Sequence, residues 1–255
     1  MSDPNSPLIS IVMPLFNVEK YVEESIDSVV NQSYSNWELL LVDDCSTDDT
    51  CKIIESKFST DSRIKLFHNE MNSGAGVSRN VGLANSSGIY IAFLDSDDLW
   101  CDNKLKLQVS FMLNNKAAIS HTSYSFINEL GIDIPGRVTA SKVLDLDSYM
   151  RTTEIGMSTS LICRTTVGDF TFDSMRTRQD TKLWLTLLGR GFVSKGLNEQ
   201  LVKYRARDGQ ISKNKLAAAR TTLKVYLSVK EISVARRLLN FSYYCINATL
   251  KRIKR

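Results

Sequence analysis

Apolar residues along the first hundred positions come in two rhythms. Short apolar runs at residues 10–14, 39–42 and 89–94, with a fourth stretch at 63–67, have the length of buried strands and are bounded by polar turns. Between them Val18, Tyr21, Val22, Ser25, Ile26, Val29 and Val30 repeat at helical spacing, as do Cys51, Ile54 and Phe58 within residues 46–58, and residues 76–84 read as a third helix. Strands that alternate with helices predict an α/β fold with a mostly parallel central sheet covered by helices on both faces.

Beyond residue 100 the pattern predicts a helix at 102–115, a strand at 117–126 and a loop at 128–145, where Gly131, Pro135 and Gly136 cluster. A helix follows at 180–188 with Leu183, Trp184 and Leu187 facing inward, then two short strands within 192–204. Two helices, 214–230 and 232–250, come last. There is no internal repeat and no linker, so the expected organisation is one α/β domain at 1–212 carrying a helical extension at 213–255.

Composition narrows the class. With 255 residues, 43% hydrophobic and 24% charged, the chain can bury a sizeable core, which excludes a disordered or collagen-like protein. No apolar run approaches the roughly 18 residues of a membrane span, and the first residues lack the regions of a signal peptide, so a cytoplasmic protein is expected. Five cysteines without a CxxC pair, beside two histidines, argue against a zinc site or a disulfide framework. Charge divides unevenly: residues 1–212 carry 21 Lys+Arg against 27 Asp+Glu, whereas residues 213–255 carry 11 against 1. The acidic body and the absence of a nucleic-acid motif leave no reason to expect a nucleic-acid partner.

In an open parallel sheet, ligands bind beyond the carboxyl ends of the strands. The unusual residues gather there: Pro14-Leu-Phe16-Asn17 after the first strand, Asp43-Asp44-Cys-Ser46-Thr-Asp48 after the second, Asn72-Ser-Gly74 with Arg79-Asn80 after the third, and Asp95-Ser96-Asp97-Asp98 after the fourth. Three carboxylates in four residues repel one another unless a cation sits among them, and oxygen donors suit Mg²⁺ or Mn²⁺. Capping of the next helix by Asp98 or Asp102 is the plainer alternative, yet a cap needs one Asp. Lys106 at the twelfth position from Asp95 excludes a calcium EF-hand loop. Gly74-Ala-Gly76 is no dinucleotide fingerprint, because Arg79 stands at the third glycine position. A cation at Arg79 suits phosphates or a base carbonyl, Asp43 can accept from a ring N–H, and Ser46 can cap the helix that follows.

In order and spacing these segments resemble the family 2 glycosyltransferases with a GT-A fold, specifically over residues 8–102 and more loosely to 212. The resemblance implies that Asp43 and Arg79 hold the uracil of a UDP-sugar, Asp95 the ribose or the metal, and Asp97 the divalent metal, Mn²⁺ or Mg²⁺, that bridges the diphosphate. It assigns the donor site to Pro14, Phe16, Asn17, Asp43, Asp44, Arg79, Asp95, Ser96, Asp97, Arg205 and Arg207. Arg178-Gln179-Asp180-Thr-Lys-Leu-Trp184 is similar to the family's Glu-Asp-x-x-x-Trp segment, which makes Asp180 the catalytic base, with Gln179 in place of the usual Glu. Tyr204-Arg205-Ala-Arg207 resembles the family's Tyr-Arg-x-His segment, but Arg207 stands where His is common and can act only by its charge.

The expected activity is therefore inverting transfer of a hexose or N-acetylhexosamine from a UDP-sugar to a sugar acceptor. The resemblance points to a polyprenyl-diphosphate-linked intermediate of O-antigen or capsule assembly. One base and no second carboxylate nucleophile give a single displacement. The basic tail offers Ile232, Ala235, Leu239, Ile246 and Leu250 along one helical face, which suits an anionic membrane surface at the cytoplasmic face of the inner membrane. Packing of the same helix on the catalytic body is the competing expectation. Among enzymes, a nucleotidyltransferase would want a Gly-rich basic loop after the first strand, which Pro14-Leu-Phe-Asn17 does not supply. A non-catalytic GT-A fold that binds carbohydrate or a partner is the alternative from another class, and the retained Asp43, Asp95, Asp97 and Asp180 speak against it.

Overall fold

The computed structural model describes residues 6–207 and 215–253. The chain runs β1 (Ile9–Leu15), α1 (Val22–Val30), β2 (Trp37–Asp43), α2 (Thr50–Phe58), β3 (Ile64–His68), α3 (Ala75–Ala84) and β4 (Tyr90–Phe93). It continues with β5 (Leu99–Trp100), α4 (Lys104–Asn115), β6 (Ile119–Ile127), β7 (Asp133–Val138), β8 (Val143–Leu144) and α5 (Leu146–Thr152). After a 3-10 turn at Met157–Thr159 come β9 (Leu161–Cys163), α6 (Arg164–Val167), α7 (Gln179–Gly189), β10 (Ser194–Arg205), α8 (Lys215–Leu227) and α9 (Val234–Ile253). The sheet order is β3-β2-β1-β4-β9-β6-β10-β5, with β7 on β6 and β8 on β10.

Pairing is parallel from β3 to β4, where a crossover helix joins each strand to the next in sequence, and parallel again between β6 and β10. β9 lies antiparallel between these halves, against β4 on one side and β6 on the other. Every residue of β1 and β2 is buried, so their side chains alternate between two covered faces. Ile9, Ile11, Met13, Leu39 and Leu41 face α1 and α2, while Val12, Leu40, Ile91 and Phe93 face the core built by α5 and α7. Trp184 of α7 is fully buried there, as its spacing with Leu183 and Leu187 predicts.

Three expectations are revised. The presumed loop at 128–145 holds β7 and β8; β7 is an edge strand, where Pro135 is tolerated because its missing N–H faces no partner strand. α5 follows at once, started by a capping box between Asp145 and Ser148. Residues 192–204 form one long strand rather than two, because shifts of register near Leu197 and Gln200 interrupt its pattern without ending it. Ser46 does not cap α2: its hydroxyl accepts the N–H of Asn17, while Asp48 accepts the N–H of Thr50 at the helix start.

The extension packs on the body. Tyr226 of α8 is fully buried, donates its hydroxyl to the Met150 carbonyl, and meets Phe241 and Tyr244 of α9 edge-on at 6.0 Å. The expected boundary at 212 lies outside the described residues. No helix among the described residues is long and apolar enough to cross a membrane.

The seat of α3 is tight. A Cβ on Gly82 would lie 2.4 Å from Cγ1 of Val12 in β1, so only glycine lets the helix rest this close to the sheet. Gly82→Ala is expected to lower stability by about 1–3 kcal/mol through overpacking. A urea midpoint equal to that of the unchanged chain would show that α3 can shift without cost.

Candidate active site

The carboxyl ends of β1, β2, β3 and β4 open on one rim, as the strand-end rule requires. On that rim the Asp95-Ser96-Asp97-Asp98 turn is closed by a backbone hydrogen bond from Asp98 to the Asp95 carbonyl at 2.9 Å. Its three carboxylates have three different environments. Asp95 is partly open and accepts a 2.6 Å bond from Nη2 of Arg79. Asp97 is paired with Nη2 of Arg207 at 2.7 Å. Asp98 is buried, taking the Ser158 hydroxyl at 2.6 Å and the Arg205 N–H at 3.0 Å.

These environments move the acids. Burial, and then Asp95, push the Asp97 carboxyl above its ordinary value against the pull of Arg207. Burial, followed by the charges of Asp95 and Asp97, raises Asp98 well above the carboxylate range. Asp98 is therefore neither a helix cap nor an open ligand; it is the buried peg of the turn. α4 is not capped by Asp98 or Asp102: its N-cap position is Asn103, which makes no side-chain cap, and the Leu105 N–H goes to Gln32 at 3.0 Å, which removes the capping alternative.

Ser158 was not legible as a site residue, yet it holds the turn at three points. Its hydroxyl donates to Asp98 and accepts the Asp95 N–H at 3.1 Å, and its carbonyl accepts the Trp100 indole at 2.8 Å. No pattern in residues 153–160 marks it, because its partners lie about 60 positions upstream.

Of the other expected donor residues, some face the rim and others hold it from behind. Asp43 ends β2 and accepts the Ser46 N–H at 3.1 Å. Asp44 is turned inward: it accepts Asn69 at 2.7 Å, the Ser73 N–H at 2.8 Å and the Gly74 N–H at 2.7 Å, so both oxygens are used to fold the loop before α3. Arg205 is likewise consumed, its guanidinium bonding the carbonyls of Asp97, Asn128 and Glu129 and the carboxylate of Glu24. Both were expected to touch the donor; in the structure their polar atoms are engaged within the protein. Ser96 is buried and accepts the Ser25 hydroxyl through its carbonyl, and Pro14 is buried in β1 opposite Val42. Asn17 takes a left-handed backbone (φ 50°) and its side chain accepts the Thr47 N–H at 2.8 Å, whereas Phe16 is half exposed.

Arg79 and Arg207 differ from Arg205. Nε and Nη1 of Arg79 and Nε of Arg207 are buried and have no hydrogen-bond partner, although each guanidinium holds one carboxylate. Unmatched buried donors beside a pair of acids are costly in isolation and fit a site built to receive an anion.

Asp180 stands in the first turn of α7, partly exposed. The segment before it is clamped to the loop preceding α3, since Arg176 bonds Asn72 through both terminal nitrogens. Gly74 has φ +89°, and a Cβ on Gly76 would lie 2.7 Å from the Asp173 carbonyl and 3.1 Å from Cγ of Gln179. The two glycines thus serve a backbone turn and a close approach that brings α7 to the rim.

The whole describes a glycosyltransferase of GT-A architecture. The chain matches the model of glycosyl transferase family 2 over residues 10–165, and it belongs to that family. It is 39% identical to TuaG of Bacillus subtilis, a candidate teichuronic acid biosynthesis glycosyltransferase, over 97% of this chain and 98% of that protein. It is 38% identical to WfgD of Escherichia coli, a UDP-Glc:alpha-D-GlcNAc-diphosphoundecaprenol beta-1,3-glucosyltransferase, over 97% of this chain and 94% of the other. In fold it is similar to residues 1–349 of S. aureus TarS, solved in complex with UDP, with a TM-score of 0.70 and 22% identity over 93% of this chain and 70% of that one.

Proposed function

We propose that the chain is an inverting, metal-dependent glycosyltransferase that moves a hexose or N-acetylhexosamine from a UDP-sugar to a polyprenyl-diphosphate-linked sugar during O-antigen or capsule assembly. The observation that carries this reading is the convergence of Asp95, Asp97, Arg79 and Arg207 at one strand end, with buried guanidinium nitrogens left unmatched. A diphosphate supplies the missing acceptors.

The residues fit a hard dication. Asp97 and Asp95 offer carboxylate oxygens only, and burial followed by the charge of Asp95 raises the Asp97 carboxyl, a strain that a cation relieves. When bound, Mn²⁺ or Mg²⁺ supplies Lewis-acid stabilisation of the departing diphosphate. Arg79 keeps its hold on Asp95 beneath the nucleotide, and Asp43 receives a ring N–H of the base. Asp180 takes the acceptor hydroxyl's proton as the sugar's anomeric carbon is attacked from the face opposite the diphosphate. That route inverts the anomeric centre.

Arg207 adds a second duty. Its ion pair with Oδ2 of Asp97 competes with a cation for that acid, so metal binding should loosen the pair and let the guanidinium move to the diphosphate. Metal and nucleotide should therefore bind each other's complexes far better than the empty chain.

α9 suits the lipid side of the substrate. Its inward face is Asn240, Phe241 and Tyr244, whereas Val234, Leu238, Leu239 and Ile246 are about half exposed. An apolar outer face on a strongly basic segment fits the anionic inner leaflet.

The first test is UDP release from a panel of UDP-sugars, led by UDP-glucose, with Mn²⁺ and a synthetic GlcNAc-diphosphate lipid. Acceptor-dependent release with one donor is expected; absence of release together with absence of metal-dependent UDP binding would favour a non-catalytic GT-A fold. Asp180→Asn should cut turnover by about 10²-fold or more while UDP binding stays unchanged. Arg207→Ala should tighten Mn²⁺ binding to the nucleotide-free chain by about tenfold and weaken UDP binding by a similar factor, read by electron paramagnetic resonance and calorimetry. Loss of both affinities together would contradict the competition at Asp97. A Leu239→Glu, Ile246→Glu double variant should stop flotation with anionic vesicles while release from a short-chain soluble acceptor persists.

A further inference from the structure

Outside the diphosphate region, one cluster combines three different donor atoms. Asp43 is the last residue of β2, His68 the last of β3, and the two are paired in the register of the sheet. Nδ1 of His68 lies 3.7 Å from Oδ2 of Asp43. Cys51, in the first turn of α2, completes the group, and the three ligand atoms all lie within 4.8 Å of one another. Among the described residues no other group of three His, Cys, Asp or Glu side chains meets this geometry.

We propose that Asp43, Cys51 and His68 form a binding site for Zn²⁺ and similar thiophilic cations, and that occupation of this site closes the nucleotide pocket by withdrawing Asp43 from it. The closing step rests on the reading that Asp43 receives the base of the donor; the metal site itself does not.

The chemistry is that of zinc. Sulfur, imidazole nitrogen and carboxylate oxygen are its ligands, and bonds of about 2.0–2.3 Å put tetrahedral ligand atoms roughly 3.3–3.8 Å apart. The 3.7 Å separation of His68 and Asp43 already fits, and Cys51 can approach by a change of rotamer. Mn²⁺ and Mg²⁺ prefer all-oxygen sets, so Asp95 and Asp97 would hold those ions while this trio discriminates against them. Asp43 is buried and fixed by the Ser46 N–H, His68 is exposed, and Cys51 is half-buried, which gives both a rigid anchor and a route from solvent.

The field around the sulfur has the right sign. Burial, and then the charges of Asp43, Glu55 and Asp48, hold the Cys51 thiol protonated, pushing it up to about 12. The carboxylates among these causes attract a cation, whereas burial, the largest of them, opposes ionisation, so binding must displace the thiol proton to solvent. The three ligands come from three elements, so no CxxC or closely spaced His pair announces them.

Co²⁺ added to the full chain reports the site, because thiolate ligation gives a near-ultraviolet charge-transfer band. The band is expected in the unchanged protein and in a Cys45→Ser control, lost in Cys51→Ser, and weakened in His68→Asn by about 10- to 100-fold in cobalt affinity, at least what an outer-shell partner is worth. Zn²⁺ should displace cobalt and inhibit UDP release competitively with donor, while Cys51→Ser keeps its basal release and loses the inhibition. Absence of the band, or its persistence in Cys51→Ser, overturns the site. A band of the expected kind with no competition between Zn²⁺ and UDP overturns the closing step alone and counts against Asp43 as the base contact.

Discussion

Three acids in four residues can end a buried strand only if the fold brings cations to meet them, and three arginines from two distant segments do so here. Arg79 holds Asp95, Arg207 holds Asp97, and Arg205 ties down the backbone of the turn through the Asp97 carbonyl and, by its own N–H, Asp98. The β10 end must therefore lie beside the β4 end. That requirement explains the sheet order: β9 and β6 bridge the parallel half to β10, and β5, formed just after the acidic turn, pairs back onto β10. The turn is fixed from both sides before any ligand is considered.

The same economy separates supports from working groups. Asp44, Asp98 and Arg205 belong to the motif segments as fully as Asp43, Asp97 and Arg207 do, yet their polar atoms are used within the protein. A buried group whose bonds are complete gives rigidity, because parting them would expose an unpaired charge to a dry interior. A buried group with nitrogens left over, as in Arg79 and Arg207, is, on the function proposed above, the one a ligand would complete. On the proposed reading, rigidity in the first set is what lets the second act without first being ordered.

Much of this was legible in the residues. The first half of the sheet follows from apolar runs whose faces are both covered, and the rim follows from where those runs stop. The second half was obscured for local reasons: β7 carries Pro135 and Gly136 at an edge, β9 has only three residues, and β10 loses its alternation at two shifts of register. At the site, the motif residues were visible but their division into supports and working groups was not, since Asp43 and Asp44 are chemically identical neighbours. Ser158 was invisible for a similar reason. Its importance comes from partners far upstream, and a lone serine has no pattern of its own.

α9 shows how far a helical stripe can mislead about direction. The stripe of Ala235, Leu239 and Ile246 would ordinarily be assigned to the core, yet those residues face outward, and Asn240 is the side chain that is fully buried. The inversion is stable because α5 presents polar partners: Asp147 accepts from Asn240 at 2.6 Å, Arg151 donates to it at 2.9 Å, and Asn247 reaches the Arg151 carbonyl at 3.0 Å. Arg236 is spent on Asp147 in the same contact. Beside Phe241 and Tyr244 the inner face thus satisfies polar groups while several apolar side chains are left outside, against what water rewards. A helix so oriented suits surroundings less polar than water on its outer side, and on the proposed reading an acceptor carried on a polyprenyl chain would bring the protein to such a surface.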